Sequence, residues 1–191
     1  MGVVACGSSQ AGGASATPSA TSAPTTTPSP TAPPAATGYP VNVYFSKTPD
    51  SENNFTAVFP LNRVSPSPQV ETVSIQLLIA GPTPEERAAG YYTELGRLFT
   101  NGTLCASPGP AAFGGPDFTL HLNRKGTKPE QGTATLQFCR GTLSPGVGTD
   151  ARVTAEIDAT LLQFATVKKV VILDVSGQCW GGGVGGTGCL K

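Results

Sequence analysis

Alternation of apolar and polar residues starts at Tyr39, where Val41, Val43 and Phe45 are interleaved with Asn42 and Tyr44 in the two-residue period of a half-buried strand. After a polar stretch over 47–54, expected as an exposed loop, Phe55, Ala57, Phe59 and Leu61 repeat the alternation as far as Val64. Pro60 has no N–H to give a neighbouring strand, so this second strand is expected at a sheet edge or at a bulge, pairing with the first as a hairpin. Pro66 and Pro68 end it, and the period then lengthens: Val70, Val73, Leu77 and Ala80 recur at helical spacing over 69–80. Gly81-Pro82 supplies the stop, because glycine tolerates the left-handed conformation past a helix end and proline cannot continue the helix. Thr83-Pro84-Glu85-Glu86 reads as a capping box, with Pro at the first helical position, opening a second helix expected to run to about Gly96.

The second half repeats these signals in another order. Residues 99–116 carry Gly, Pro, Ala and Ser without a period and are expected as a long loop. Phe118, Leu120 and Leu122 mark a third strand. Ala134, Leu136 and Phe138 mark a fourth, with Cys139 pointing off the core face toward whatever covers it. Val153, Ile157, Leu161 and Ala165, joined by Leu162 and Phe164, form the stripe of the longest helix, capped by Thr149 or Asp150. The unbroken run at 168–175 suits a strand covered on both faces or central in its sheet. The order β-β-α-α-β-β-α-β predicts an α+β fold, a small mixed β-sheet with helices packed on one face, over a single domain at 39–191.

Composition adds what lies ahead of that domain. Residues 10–38 contain only Ala, Thr, Ser, Pro, Gly and one Gln, which have almost nothing to bury against the cost of ordering. They read as a linker, extended at about 3 Å per residue where proline dominates. At 1–9, Val3-Val4-Ala5-Cys6-Gly7 resembles the end of a bacterial lipoprotein signal, and the resemblance implies lipidation at Cys6 and an extracytoplasmic, membrane-anchored chain. Only five residues precede Cys6, too few for a charged n-region and an apolar core, so the expected translation start lies upstream.

Removing Cys6 leaves Cys105, Cys139, Cys179 and Cys189, an even number that suits two disulfides in an exported chain. The glycine-rich segment between Cys179 and Cys189 can close a small ring, which leaves Cys105 to pair with Cys139. A four-thiolate zinc site would need closely spaced pairs that are absent here, so no metal is expected. With 12 Lys and Arg against 12 Asp and Glu, the chain has no net field to draw nucleic acid or anionic lipid, and Arg124, Lys125 and Lys128 read as solvated turn charges.

Val41-Asn-Val-Tyr-Phe45, Leu61-Asn-Arg63-Val64, Leu77-Leu-Ile-Ala-Gly81-Pro82 and the helix, strand and turn over 153–177 together resemble the GerMN domain of spore-germination and sporulation lipoproteins. The resemblance covers most of residues 39–179. It implies a fold akin to the ring-building α/β domains of sporulation machinery, no catalytic activity, no cofactor, and a role in envelope assembly or sensing. The chain departs from the family at 96–117, where a Cys-containing Gly/Pro-rich loop replaces a short connection, and in its Cys-flanked glycine tail.

Candidates for chemistry are few. His121, the one imidazole, falls in a strand beside Thr119 and Asn123 and reads as a surface residue, leaving no base for a nucleophilic triad. Asp117, Glu130, Glu156 and Asp158 fall in loops or on what reads as a solvated helix face, which disfavours a carboxylate pair for glycoside hydrolysis. The glycines at 181–188 lack the lysine and following helix of a phosphate-binding loop. Asn54-Phe-Thr56 and Asn101-Gly-Thr103 match the glycosylation sequon but read as loop asparagines. Two residues stand out for binding. Arg63 either pairs with a helix carboxylate or faces a partner, and Trp180 is either a recognition aromatic or a cover for the core. The expectation is a non-enzymatic envelope interaction module that binds another envelope protein or itself, with small-ligand or wall-fragment sensing as the alternative.

Overall fold

The computed structural model describes residues 38–100, 117–181 and 186–191. Cys6, Cys105, Asn101 and all of the 10–38 linker but its last residue lie outside them. Strands β1 (Tyr39–Lys47) and β2 (Phe59–Ser65) pair antiparallel from Tyr39 with Ser65 to Phe45 with Phe59, the expected hairpin. The loop joining them is more ordered than its polarity suggests. A helical turn, α1 (Asp50–Asn53), buries Ser51, whose hydroxyl accepts from the Lys47 N–H at 2.8 Å and donates to the Ala57 carbonyl at 2.6 Å. Phe55, expected in the second strand, lies before it: Asn54 Oδ1 accepts from the Thr56 N–H and hydroxyl in a side-chain turn, and Phe55 packs under the Arg152 guanidinium at 5.0 Å.

Helix α2 (Val70–Ala80) stops at Gly81, whose φ of 82° is the left-handed conformation the Gly-Pro pair predicts. Its buried side is Ser74, Ile75 and Leu78, not Val70, Val73, Leu77 and Ala80. Apolar residues occur all round this helix, so periodicity alone did not select its face. Helix α3 (Pro84–Ala88) has the full capping box, Thr83 Oγ1 accepting from Glu86 N and Glu86 Oε2 from Thr83 N. It ends well short of Gly96. At Gly90, with φ 93°, the chain turns into β3 (Tyr91–Tyr92), which pairs with Ser46 and Lys47 of β1. One turn, α4 (Leu95–Leu98), and β4 (Phe99–Thr100) follow; a Cβ on Gly96 would lie 2.7 Å from the Ile79 carbonyl oxygen, so only glycine lets α4 approach α2 this closely.

Strands β5 (Phe118–Lys125) and β6 (Lys128–Phe138) form a second hairpin, broken by a wide bulge where Asn123 adopts φ 57° and its side chain accepts from Gly132 N. Strand β7 (Gly141–Thr142) pairs with β4, and α5 (Val147–Leu162) leads to β8 (Lys169–Leu173), which runs parallel to β6. The class is α+β, but the strands form three small sheets, β2-β1-β3, β4-β7 and the mixed β5-β6-β8, in place of one. Helix α5 explains the division. Its residues Glu156, Thr160 and Gln163 share one stripe and accept from the N–H groups of Ser46, Tyr44 and Asn42 at 3.0, 3.1 and 2.9 Å. Side chains of a helix thus occupy the β1 edge where a further strand would bond. The apolar stripe beside them, Val153, Ile157 and Leu161, is fully buried against Leu136, Phe138 and Ile172 in a core that also takes in Val43, Phe45, Ile75 and Leu78. Leu162, expected in that stripe, is exposed, and Ala165 lies past the helix end.

Candidate functional site

Because β1 offers Asn42, Tyr44 and Ser46 to α5, the alternate residues face β2, and Phe59, Leu61 and Arg63 are their partners. Pro60, Asn62 and Val64 therefore point to the free edge. Pro60 has no donor there and the Asn62 carbonyl accepts from Arg63 Nη1 at 3.1 Å, so this edge is blunted against strand addition. Arg63 itself forms a two-pronged ion pair with Glu86 (2.7 and 2.5 Å) and lies over the Phe45 ring at 5.8 Å. The guanidinium holds the Glu86 carboxyl below its usual range. Of the two roles open to Arg63, the helix-carboxylate pair is the one formed.

Trp180 is likewise engaged within the domain. It meets Phe138 edge-on at 5.5 Å and donates from Nε1 to the Thr142 hydroxyl at 3.1 Å, covering the core. Cys179 and Cys189 form the expected disulfide, with 10 residues of separation. Cys139 is fully buried, its N–H bonded to the Asp117 carbonyl, and is disulfide-bonded to a residue outside the described ones. His121 is exposed on β5. Asp117 pairs with Arg140 at 2.9 Å. Among the described residues no group of three or more His, Cys, Asp or Glu is placed to hold a metal ion.

The arrangement the sequence did not reveal centres on Glu156. Read from the sequence as part of a solvated face, it is 1% exposed. Its Oε1 accepts from the Ser46 N–H at 3.0 Å and hydroxyl at 2.8 Å, and its Oε2 lies 2.6 Å from the Thr93 hydroxyl, which also accepts from Leu95 N. Burial raises its pKa to about 7, against the opposing pull of the Thr93 and Ser46 hydrogen bonds. Thr93 and Glu94 join β3 to α4. Glu94 accepts from Thr149 at 2.6 Å and from Arg152 at 2.7 and 3.2 Å, so Thr149 ties α5 to this loop in place of capping the helix, whose N-cap position is Gly146. In front of the loop opens a cleft of about 430 Å³ lined by Tyr92, Thr93, Glu94, Arg97, Leu98 and Pro145. Burial raises the Tyr92 phenol above its usual value, and Arg97 is exposed at the rim.

Chemically the cleft offers hydroxyls, the guanidinium of Arg97 and an apolar floor. The Glu94 carboxylate is already neutralised by Arg152, and the Glu156 carboxyl sits behind Thr93 with its acceptors engaged. The one sequence signal for Glu156 was its place next to an apolar stripe, four residues before Thr160, in a polar row that continues to Gln163. Compared with known protein families, curated proteins and solved structures, the chain matches none of them.

Proposed function

We propose that the protein is a non-enzymatic extracytoplasmic interaction module: a GerMN-like domain carried on the 10–38 linker, lipid-anchored through Cys6, and docking onto another envelope protein. The observation that carries this reading is the Cys179–Cys189 disulfide, since such bonds persist in oxidising compartments outside the cytoplasm. The lipoprotein-like residues at 3–7 and the family-like motifs at 41–45, 61–64 and 77–82 support it from the sequence side. Among the described residues no helix is long and apolar enough to cross a membrane.

Within this reading the two residues singled out from sequence are structural, and the docking surface lies elsewhere than the blunted β2 edge. The test is crosslinking and affinity recovery of the tagged full chain from its own envelope, with light scattering of the isolated protein. A stoichiometric protein partner or a defined oligomer supports the module, and a clean monomer with no partner refutes it. The cleft at Tyr92–Leu98 favours a second reading, sensing of a small anionic molecule or wall fragment by Arg97 and the hydroxyls around it. A thermal-shift screen of such fragments, abolished by Arg97→Ala, separates that reading from the first.

A further inference from the structure

The chain is electrically neutral, yet its charges are not evenly placed. Arg124, Lys125 and Lys128 at the tip of the β5–β6 hairpin are joined in space by Lys168 and Lys169, which lead into β8. Thr133 of β6 pairs with Lys169, Lys168 N donates to the Gly132 carbonyl, and the Lys168 side chain lies where a Gly132 Cβ would point. Lys125 and Lys169 approach the two oxygens of the same carboxylate, Glu130, at 3.9 and 3.7 Å, and Glu130 also accepts from Thr133 at 2.7 Å. Glu130 therefore faces two ammonium groups, Lys125 Nζ donates as well to the Lys191 carbonyl oxygen, and the remaining cations lie beside them. Partial burial, and after it the neighbouring Lys169, lower the pKa of Lys125. Lys128, Lys168 and Lys169 are exposed.

The chain also enters the domain at this end. Asn42, near the start of β1, bonds to Gln163 at the end of α5, and the segment that follows Gln163 passes through Val167 directly to Lys168 and Lys169. We propose that this end of the domain docks on the anionic phospholipid headgroups of the membrane to which the chain is tethered, an inference that rests on the anchored reading above. Each lysine at such a surface contributes about fivefold in partitioning, and the attraction weakens with salt over roughly 10 Å or less.

The experiment uses the full oxidised chain carrying Cys6→Ser, so that no acyl chain contributes, in co-sedimentation with phosphatidylcholine vesicles with and without phosphatidylglycerol. The expected result is binding to the anionic vesicles alone, lost at high salt, weakened on the order of 25-fold by Lys168→Gln with Lys169→Gln. The Lys168→Arg, Lys169→Arg chain should bind as the parent does. Trp180 fluorescence verifies that each variant is folded. No vesicle binding, binding independent of phosphatidylglycerol, or a parent indifferent to salt overturns the proposal. Binding to soluble polyphosphate without binding to vesicles overturns it in favour of a soluble anionic polymer. Acyl labelling of the unsubstituted chain in its host tests the anchor separately: labelling without vesicle binding removes the basic face alone, and vesicle binding without labelling removes the anchor alone.

Discussion

Substituting Glu156 by Gln isolates the contribution of one buried proton to stability. In the folded chain the Glu156 carboxyl titrates at about 7, against 4.5 for an ordinary glutamate, because burial in the α5–β1 seam disfavours its charged form. Between those two values the native state keeps a proton that the unfolded state has released. Stability is therefore fully present below pH 4.5, falls as pH rises, and has lost the whole contribution once pH passes about 7. At 1.36 kcal/mol per pKa unit the loss is about 3 kcal/mol, and at 1% exposure little of it is screened by solvent. A glutamine reproduces the protonated form: its oxygen accepts from the Ser46 N–H and hydroxyl, and its amide donates to Thr93 Oγ1.

Urea unfolding followed by the fluorescence of Trp180 measures the effect in both chains from pH 4.5 to 8. The difference between them, not either curve, is decisive, because Asp158, raised to about 6 by burial, falls in the same direction while the lowered carboxyls of Glu85, Glu86 and Glu130 act oppositely toward acid. Glu156→Gln should be more stable than the parent at pH 8 by about 2 kcal/mol, after about 1 kcal/mol for an imperfectly placed amide, and lose this advantage by pH 4.5. Parallel curves across that range would refute the reasoning, since they would mean that Glu156 ionises as it does in water.

Opening the ring with Cys179→Ser and Cys189→Ser should lower stability by about 2 to 3 kcal/mol from the unfolded chain's regained freedom, read as a drop in the urea midpoint under oxidising conditions; reductant should lower the parent further, because it also opens the disulfide of Cys139. Glu86→Ala removes both the capping box of α3 and the partner of Arg63, with an expected cost of about 2 kcal/mol; thermal unfolding at pH 7 checks it, and the gap should narrow toward acid pH, where the parent's Glu86 protonates. Trp180→Ala should cost about 3 kcal/mol by circular dichroism, with Trp180→Phe intermediate, because the ring covers Phe138 and its N–H is bonded to Thr142. A Trp180→Ala chain of unchanged stability would return the residue to recognition.

Local features of the fold were legible wherever neighbouring residues decide them. Gly81-Pro82 and the Thr83–Glu86 box fix helix ends through their own backbone and side-chain hydrogen bonds, and the Cys179–Cys189 ring closes over a short glycine-rich segment. Features decided by distant partners were not. The second helix ended early because Tyr91 and Tyr92 gain a strand partner in Ser46 and Lys47, and nothing near Gly90 announces that pairing. Helix α2, apolar all round, could turn several faces inward, and tertiary contact with β1 chose Ile75 and Leu78. The basic end combines a hairpin tip, read as solvated turn charge, with Lys168 and Lys169 far along the chain, read as the start of a strand, so neither half announced the other.

Glu156 was misread for the same reason, and its placement explains why the sheet divides. A polar row on a helix signals solvent unless another backbone edge is at hand to use it, and β1 supplies such an edge. The row then does what a strand would do, satisfying the N–H groups of residues 42, 44 and 46, while the apolar stripe beside it packs on β6 and β8. One helix thus joins two sheets that, among the described residues, are not paired with each other. The one acid of that polar row, Glu156, is the point where β1, the Thr93 loop and α5 meet, so the wall of the cleft at Tyr92–Leu98 is fastened by a carboxyl that holds its proton only up to about pH 7. Ser46 and Thr93 donate to that carboxyl and favour its charged form, so what raising the pH costs is the burial of a charge in the seam, a penalty that β1, the Thr93 loop and α5 bear together.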